Sequence, residues 1–284
     1  MCIYYSLNGT YLGANGARYS DPKQGDSVGN CYLISALSSI AWVNYDNIPN
    51  KASPFNFTFW DWHTGAKVRK DVSAVDNSVC MNPVGARSIE TGETWPAIYE
   101  KAYANFMPIP PNYNGLPQEL GCNISSHRDL TKFPTYNPIT TLAEISGVSP
   151  AQTSFMTSND ANGSAVVAKI NTICTNKKTR YPTVAITTTA AGNGLQSKHS
   201  YSILGLQDPY IVLRNPNLIK PGAGVNGVFL GMWSSVNDQR FSGGSAIGGP
   251  RPAVDYNLST LPGVFGLDKE IFKANFEKYG WVTW

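Results

Sequence analysis

Cys31 stands where a glycine-containing loop, Gln24-Gly25-Asp26-Ser27-Val28-Gly29-Asn30, meets a run whose apolar residues recur at helical spacing. From Cys31 the positions Ile34, Leu37, Ser38 and Ala41 fall on one helical face, and Leu33 and Ile40 widen it, so a helix here packs one face into a core. The thiol then lies in the first helical turn. Unpaired backbone N–H groups and the positive end of the helix dipole favour its thiolate, the form that attacks carbonyl carbon. Gln24, upstream on the entering loop, is placed to aim its side-chain amide at the same spot and, with the Cys31 N–H, to stabilise a developing oxyanion. From this stretch alone, a buried structural cysteine opening an ordinary core helix accounts for the pattern equally well.

An imidazole must come from His63, His127 or His199. His199 opens the strand-like run His199-Ser200-Tyr201-Ser202-Ile203-Leu204-Gly205. After a turn at Asp208-Pro209, a second run, Tyr210 to Asn215, is stopped by Pro216. Two strands joined by so short a turn pair as a hairpin, which brings His199 beside Asn215. The Asn215 oxygen then accepts from one ring nitrogen and leaves the other to face a thiol. Taken singly, each residue has an ordinary reading: a strand-end histidine, and an asparagine that ends a strand before proline. His63 lies in a strand-to-turn stretch and His127 in a polar loop, neither with a comparable partner.

With these residues in place, the chain resembles the calpain family of papain-like cysteine peptidases. Gln24-Gly25 followed by Gly29-Asn30-Cys31-Tyr32-Leu33 resembles the family's nucleophile motif with one extra residue between. Lys198-His199-Ser200-Tyr201-Ser202 resembles its Gly-His-Ala-Tyr-Ser, and Arg214-Asn215-Pro216-Asn217 its Arg-Asn-Pro-Trp-Gly. The stretch from Trp95 to Ala104 resembles a family helix, Gly231-Met232-Trp233-Ser234 its Gly-x-Trp-Ser, and Gly263-Val264-Phe265 through Phe272 and Phe276 its closing segment. The match runs from Asp21 to the C-terminus with every piece in order. It implies a papain-like α+β fold, a helical half and an antiparallel sheet half with the cleft between. It also implies Cys31 as nucleophile, His199 as general base and acid, Asn215 as the residue orienting it, and Gln24 as oxyanion donor.

The departures bear on the same site. The aromatic residue that in the family covers the His–Asn hydrogen bond is Asn217 here, so that cover is missing or comes from Trp233 or elsewhere. Lys198 replaces glycine before the histidine, and Asn30 replaces aspartate before the cysteine. Many calpains need calcium, and Asp21 stands where the family often has a calcium-ligating aspartate. A hard cation needs several oxygen ligands, and no other acidic cluster or EF-hand is evident. No cofactor is therefore expected, and Asp21 reads as a turn aspartate before Pro22.

A chain of 284 residues with 42% hydrophobic residues builds one large domain or two halves around a cleft. The division expected is a helical subdomain at 1–138 carrying the cysteine and a β-sheet subdomain at 139–284 carrying the histidine and asparagine. A net charge of +3 without Lys/Arg runs argues against nucleic acid, and no apolar stretch is long enough to span a membrane. The expected partner is a protein or peptide substrate, and the expected state a monomer. Cys2, Cys31, Cys80, Cys122 and Cys174 include no C-x-x-C pair, which argues against zinc. Their odd number fits one reactive thiol with up to two disulfides, or five free thiols. The N-terminus has no basic region followed by an apolar core, so a cytoplasmic location is expected, with secretion as the alternative.

Within the first half, Phe55 to Trp60 and Lys67 to Val72 read as a hairpin, and a helix follows Thr94 with Pro96 in its first turn. Met107 to Pro138 reads as a linker or long loop. In the second half a helix is expected near Ser158 to Asn176, then antiparallel strands at Thr183 to Thr189, Tyr201 to Leu206, Tyr210 to Arg214 and Val228 to Leu230. A flap is expected over Ser234 to Pro262 and a closing helix over Lys269 to Lys278. The functional expectation is a cysteine endopeptidase working through a thioester. An acyltransferase or transamidase with the same triad, or an inactive binding module, stands as the alternative.

Overall fold

The computed structural model describes residues 11, 17–25, 29–43, 55–61, 64–72, 86–89, 93–107, 137–149, 153–157, 160–237 and 253–283. The first elements are β1 (Pro22–Lys23), α1 (Cys31–Val43), β2 (Phe55–Asp61), β3 (Ala66–Val72), β4 (Arg87–Ser88), α2 (Trp95–Phe106) and α3 (Pro138–Ser146). There follow β5 (Thr153–Thr157), α4 (Gly163–Thr172), β6 (Cys174–Thr175), β7 (Lys178–Thr179), β8 (Thr183–Thr187), β9 (Ser200–Gln207) and β10 (Tyr210–Arg214). The chain closes with β11 (Val228–Phe229), β12 (Met232–Asn237), β13 (Ala253–Asn257), β14 (Val264–Asp268), α5 (Lys269–Asn275) and β15 (Phe276–Val282).

Every residue of α1 is buried, so it is a central helix rather than one with a single inward face. Its serines make this possible. Ser39 Oγ donates to Thr183 O at 3.0 Å, Ser35 O accepts from Ser202 Oγ at 2.7 Å, and Ser38 Oγ accepts from Arg214 Nη1 at 2.6 Å. Small hydroxyl side chains let the helix backbone lie close to the sheet while each polar group keeps a partner.

The sheet runs β11-β14-β10-β9-β8-β15-β5, with β7 added to β9 and β6 to β7, and its neighbours are antiparallel. Alternation along its strands divides the core. Val184, Leu204, Val212, Val264 and Val282 face α1, α2, α3 and the β2–β3 hairpin, whereas Ala185, Ile203, Leu213 and Phe265 face α4 and α5. At Gly205 a Cβ would lie 1.9 Å from Lys177 O and 2.8 Å from the Trp233 ring, so only glycine lets β9 pass there.

The β2–β3 hairpin and α2 form where the sequence places them. Phe57 and Phe59 share one face of β2 and pack on Tyr99, with Phe59 also on Tyr103 of α2. Three stretches differ. The expected helix at Ser158 to Asn176 is shorter, because Asn162 Oδ1 caps α4 by accepting from Ala165 N at 2.9 Å, and Asn176 and Lys177 turn with positive φ. The expected helix at Lys269 to Lys278 stops at Asn275, since buried Phe276, Tyr279 and Val282 serve β15, a strand between β8 and β5. Within Ser234 to Pro262, β12 and β13 pair with each other, and residues 238–252 lie outside the described residues.

Helix α3 begins at the end of the stretch expected as a linker, and its sequence marks both of its ends. Asn137 caps its start by accepting from Ile139 N, Pro138 occupies the first turn, and Gly147 closes it with φ 64°. The linker expected at Met107 to Pro138 lies otherwise outside the described residues. The α+β class holds: a helical layer faces one side of an antiparallel sheet, and α1 runs along β8 and β9.

Candidate active site

Helix α1 and strand β9 lie side by side, and the pairing of Ser35 with Ser202 sets their register. One helical turn back from Ser35 is Cys31, and two residues back along the strand is Ser200; both steps cover about 6 Å. The Cys31 sulfur accordingly meets the backbone N–H and the hydroxyl of Ser200, and the N–H groups of Cys31 and Tyr32 at the helix start. Burial pushes the thiol up, and those donors oppose it. Desolvation therefore outweighs the N–H donors at the helix start, and the buried sulfur holds its proton at neutral pH.

His199 immediately precedes Ser200. Its N–H donates to Thr187 Oγ1 at 2.9 Å, and its carbonyl accepts from Thr187 N at 3.0 Å, so buried Thr187 fixes the backbone at this point. The ring is 7% exposed, and Tyr201 stands edge-on to it with centroids 5.2 Å apart. Its Nε2 lies 2.8 Å from Asn215 Oδ1. The Asn217 N–H, which can only donate, also faces that oxygen at 3.2 Å, so the amide presents its acceptor to the ring. Nε2 then carries the proton, and Nδ1 keeps its lone pair. Burial pushes the imidazole down, and the Asn215 hydrogen bond pulls it back up.

Gln24 is half-buried, and its N–H donates to Pro216 O at 2.9 Å. Arg214 reinforces that junction. Fully buried, it donates from Nη1 to Ser38 Oγ and from Nη2 to Ser20 O at 2.7 Å and Pro22 O at 2.6 Å. Burial pulls its guanidinium down to about 10, which leaves it charged at neutral pH, with Tyr19 and Asp21 opposing the shift. His199 is thus hydrogen-bonded to Asn215, Cys31 lies beside Ser200, the residue after His199, and the Gln24 backbone is tied to Pro216, the residue after Asn215.

The departures acquire physical reasons. Lys198 has φ 48°, so a lysine takes the left-handed backbone that glycine adopts freely. Asn30, fully buried, donates from Nδ2 to Glu100 Oε1, and Glu100 Oε2 accepts from Ala86 N. An aspartate there would set two buried carboxylates against each other. Trp233 does not cover the histidine: its Nε1 donates to Leu206 O at 3.0 Å and its ring packs on Trp42 and Tyr256. Leu206 lies seven residues along β9 from His199, roughly 20 Å away at strand rise. Above Asn215 are instead Asn217 and Gln196, whose Oε1 accepts from Asn215 Nδ2 at 3.4 Å and from Asn217 Nδ2.

Asp21 is fully buried and accepts from the Arg18 N–H and, at 3.3 Å, from Trp95 Nε1. Among the described residues, no group of three or more His, Cys, Asp or Glu is arranged to hold a metal ion, and no helix is long and apolar enough to cross a membrane. Cys31 and Cys174 are free thiols; Cys2, Cys80, Cys122, His63 and His127 lie outside the described residues. Thr187 and Gln196 carry no signal in the sequence, and Ser200 and Arg214 are visible only as parts of motifs.

Among known proteins, the chain is 30% identical over 122 residues to a thiol protease of Porphyromonas gingivalis, strain ATCC BAA-308 / W83. That alignment takes in 34% of this chain and 25% of the relative, so the chain spans about a quarter of that protein's length. The family of calpain family cysteine proteases matches over residues 6–238, most of the chain. With that match, the chain belongs to the calpain family of cysteine proteases.

Proposed function

We propose that this protein is a cysteine endopeptidase that hydrolyses peptide bonds through Cys31, His199 and Asn215, with Gln24 as oxyanion donor. What supports the reading is one chain of contacts: Asn215 Oδ1 on His199 Nε2 at 2.8 Å, and the Cys31 sulfur against Ser200, the next residue. In the resting cleft the thiol and the imidazole are both neutral. As a peptide carbonyl approaches, Nδ1 of His199 takes the proton from Sγ while Sγ bonds to the carbonyl carbon. The carbonyl oxygen becomes an oxyanion facing the Gln24 side-chain amide and the Cys31 N–H. The imidazolium then protonates the leaving amine, the C–N bond breaks, and a thioester remains. Water, giving its proton to Nδ1, attacks the thioester and releases the acid and the thiol.

The same reading has two subdomains, 1–138 and 139–284, and no calcium requirement. Supporting the second point, Asp21 Oδ2 accepts from two N–H donors and Oδ1 faces the Ser20 hydroxyl at 3.5 Å, and Arg214 already joins the loop before α1 to the end of β10. The test is cleavage of an unstructured protein substrate in the presence of EGTA. Cys31→Ala removes turnover, and a peptidyl epoxide adds its mass to Cys31 in the unaltered protein. Full cleavage by Cys31→Ala would end the proposal. Amide products formed with an added amine, in place of acids, would move it to acyl transfer.

A further inference from the structure

Asn215 orients His199 only while its amide keeps one of two nearly isosteric positions. Turned over, the amide would present Nδ2 to the ring and stabilise the tautomer with the proton on Nδ1, which cannot accept the thiol proton. The contacts around Asn215 hold the productive position from both ends. Oδ1 accepts from His199 Nε2 and Asn217 N, and Nδ2 donates to Gln196 Oε1. Gln196 is itself fixed: its N–H donates to Tyr201 Oη at 3.1 Å, its carbonyl accepts from Thr187 Oγ1 at 2.6 Å, and neighbouring Leu195 is buried. Asn217 donates from Nδ2 to the same Gln196 oxygen, and its own Oδ1 accepts from Ile219 N at 3.0 Å. Asn215 is 2% exposed, whereas Gln196 is exposed and Asn217 half-buried, so these two side chains stand between it and water.

The geometry points to Gln196 and Asn217 as positioning residues, a paired-amide cover that locks the Asn215 side chain and with it the His199 tautomer. The inference rests on the triad reading for its catalytic meaning, but the tautomer itself is a property of the resting protein. Neither residue touches the reacting atoms. The cover stands where the resembling family carries an aromatic ring, and it replaces apolar shielding by two directed hydrogen bonds.

The test uses Gln196→Ala, which removes the shared acceptor, and Gln196→Glu, which keeps it. The ring nitrogens of His199 are followed by nitrogen-15 NMR in the Cys31→Ala background, so this measurement does not depend on turnover. The protein with Gln196 intact shows the Nε2–H tautomer; Gln196→Ala shows a mixture of both, and Gln196→Glu recovers the single form. In the active protein, Gln196→Ala lowers kcat roughly tenfold, the loss of about one hydrogen bond, with KM within about twofold, and Gln196→Glu regains most of it. Asn217→Ala, which removes one of the two amides, moves both readouts in the same direction and serves if Gln196→Ala fails to fold. An unchanged tautomer in folded Gln196→Ala or Asn217→Ala overturns the inference. Absence of peptidase activity with the tautomer shift present counts against the proposed function alone.

Discussion

The backbone N–H of Gln24 donates to the carbonyl of Pro216 at 2.9 Å, tying the loop that enters α1 directly to the loop that follows Asn215. A residue assigned to the oxyanion is thereby held in register with the residue that orients the imidazole, although 192 positions of sequence separate Gln24 from Pro216.

Since that tie is made by the backbone, Gln24→Ala removes the side-chain amide without loosening the junction. The expected result is a fall in kcat of about 100-fold or more, as for loss of one oxyanion donor, with an unchanged urea midpoint. Activity within threefold of the parent would remove Gln24 from the site.

The directions of titration define a pH profile. His199 is pushed below its ordinary 6.5 and Cys31 above its ordinary 9.0, both chiefly by burial. Between the two limbs the pair holds the single proton that the reaction needs, so kcat/KM has its acid limb below 6.5 and its alkaline limb above 9.0. A narrow bell centred near neutrality would contradict neutral partners at rest.

Arg214 carries the junction between the helical layer and the sheet. Arg214→Ala leaves the carbonyls of Ser20 and Pro22 and the Ser38 hydroxyl without their donor, for an expected loss of about 3–5 kcal/mol in urea unfolding. Arg214→Lys regains little of it, because an ammonium on a single stem cannot span acceptors set around a planar fork. A loss under about 1 kcal/mol would show the clamp to be dispensable.

Glu144 offers a stability test away from the cleft. Burial, with a contribution from Asp61, raises its carboxyl from 4.5 to about 8, while its hydrogen bond from Tyr103 Oη works the other way. In the unfolded chain the group ionises near 4.5, but in the fold it keeps its proton until about 8. The folded state therefore binds more protons across that window, and stability falls as pH rises through it, by roughly 4–5 kcal/mol at most. Glu144→Gln keeps an acceptor for Tyr103 and removes the titration, so its unfolding midpoint exceeds that of the parent increasingly from pH 5 to 8. Parallel curves for the two proteins would show Glu144 to be ionised in the fold.

Much of the architecture was legible because it rests on short-range patterns. The α1 periodicity from Cys31, the Pro96 helix start and the alternation of Tyr210 to Arg214 are statements about residues within a few positions of one another. Where those patterns misled, longer-range packing was responsible. Lys269 to Lys278 has a helical look, but Phe276 and Tyr279 are recruited by β8 and β5 on either side. Helix α3 is local in the same sense as α1, since Asn137, Pro138 and Gly147 mark its two ends. Lys198 in a glycine-like backbone left no local trace, because its φ is set by the turn that delivers His199 to β9.

The order of Cys31, His199 and Asn215 along the chain, and the helix and hairpin that carry them, follow from local propensity and spacing alone. Their protonation states do not. Those depend on how much water the packed helix and sheet exclude from sulfur and ring, and on which donors, such as those of Ser200, the fold brings from far along the chain. The cover made by Gln196 and Asn217 is of the same kind: each is an unremarked polar loop residue until folding sets the two loops side by side above Asn215.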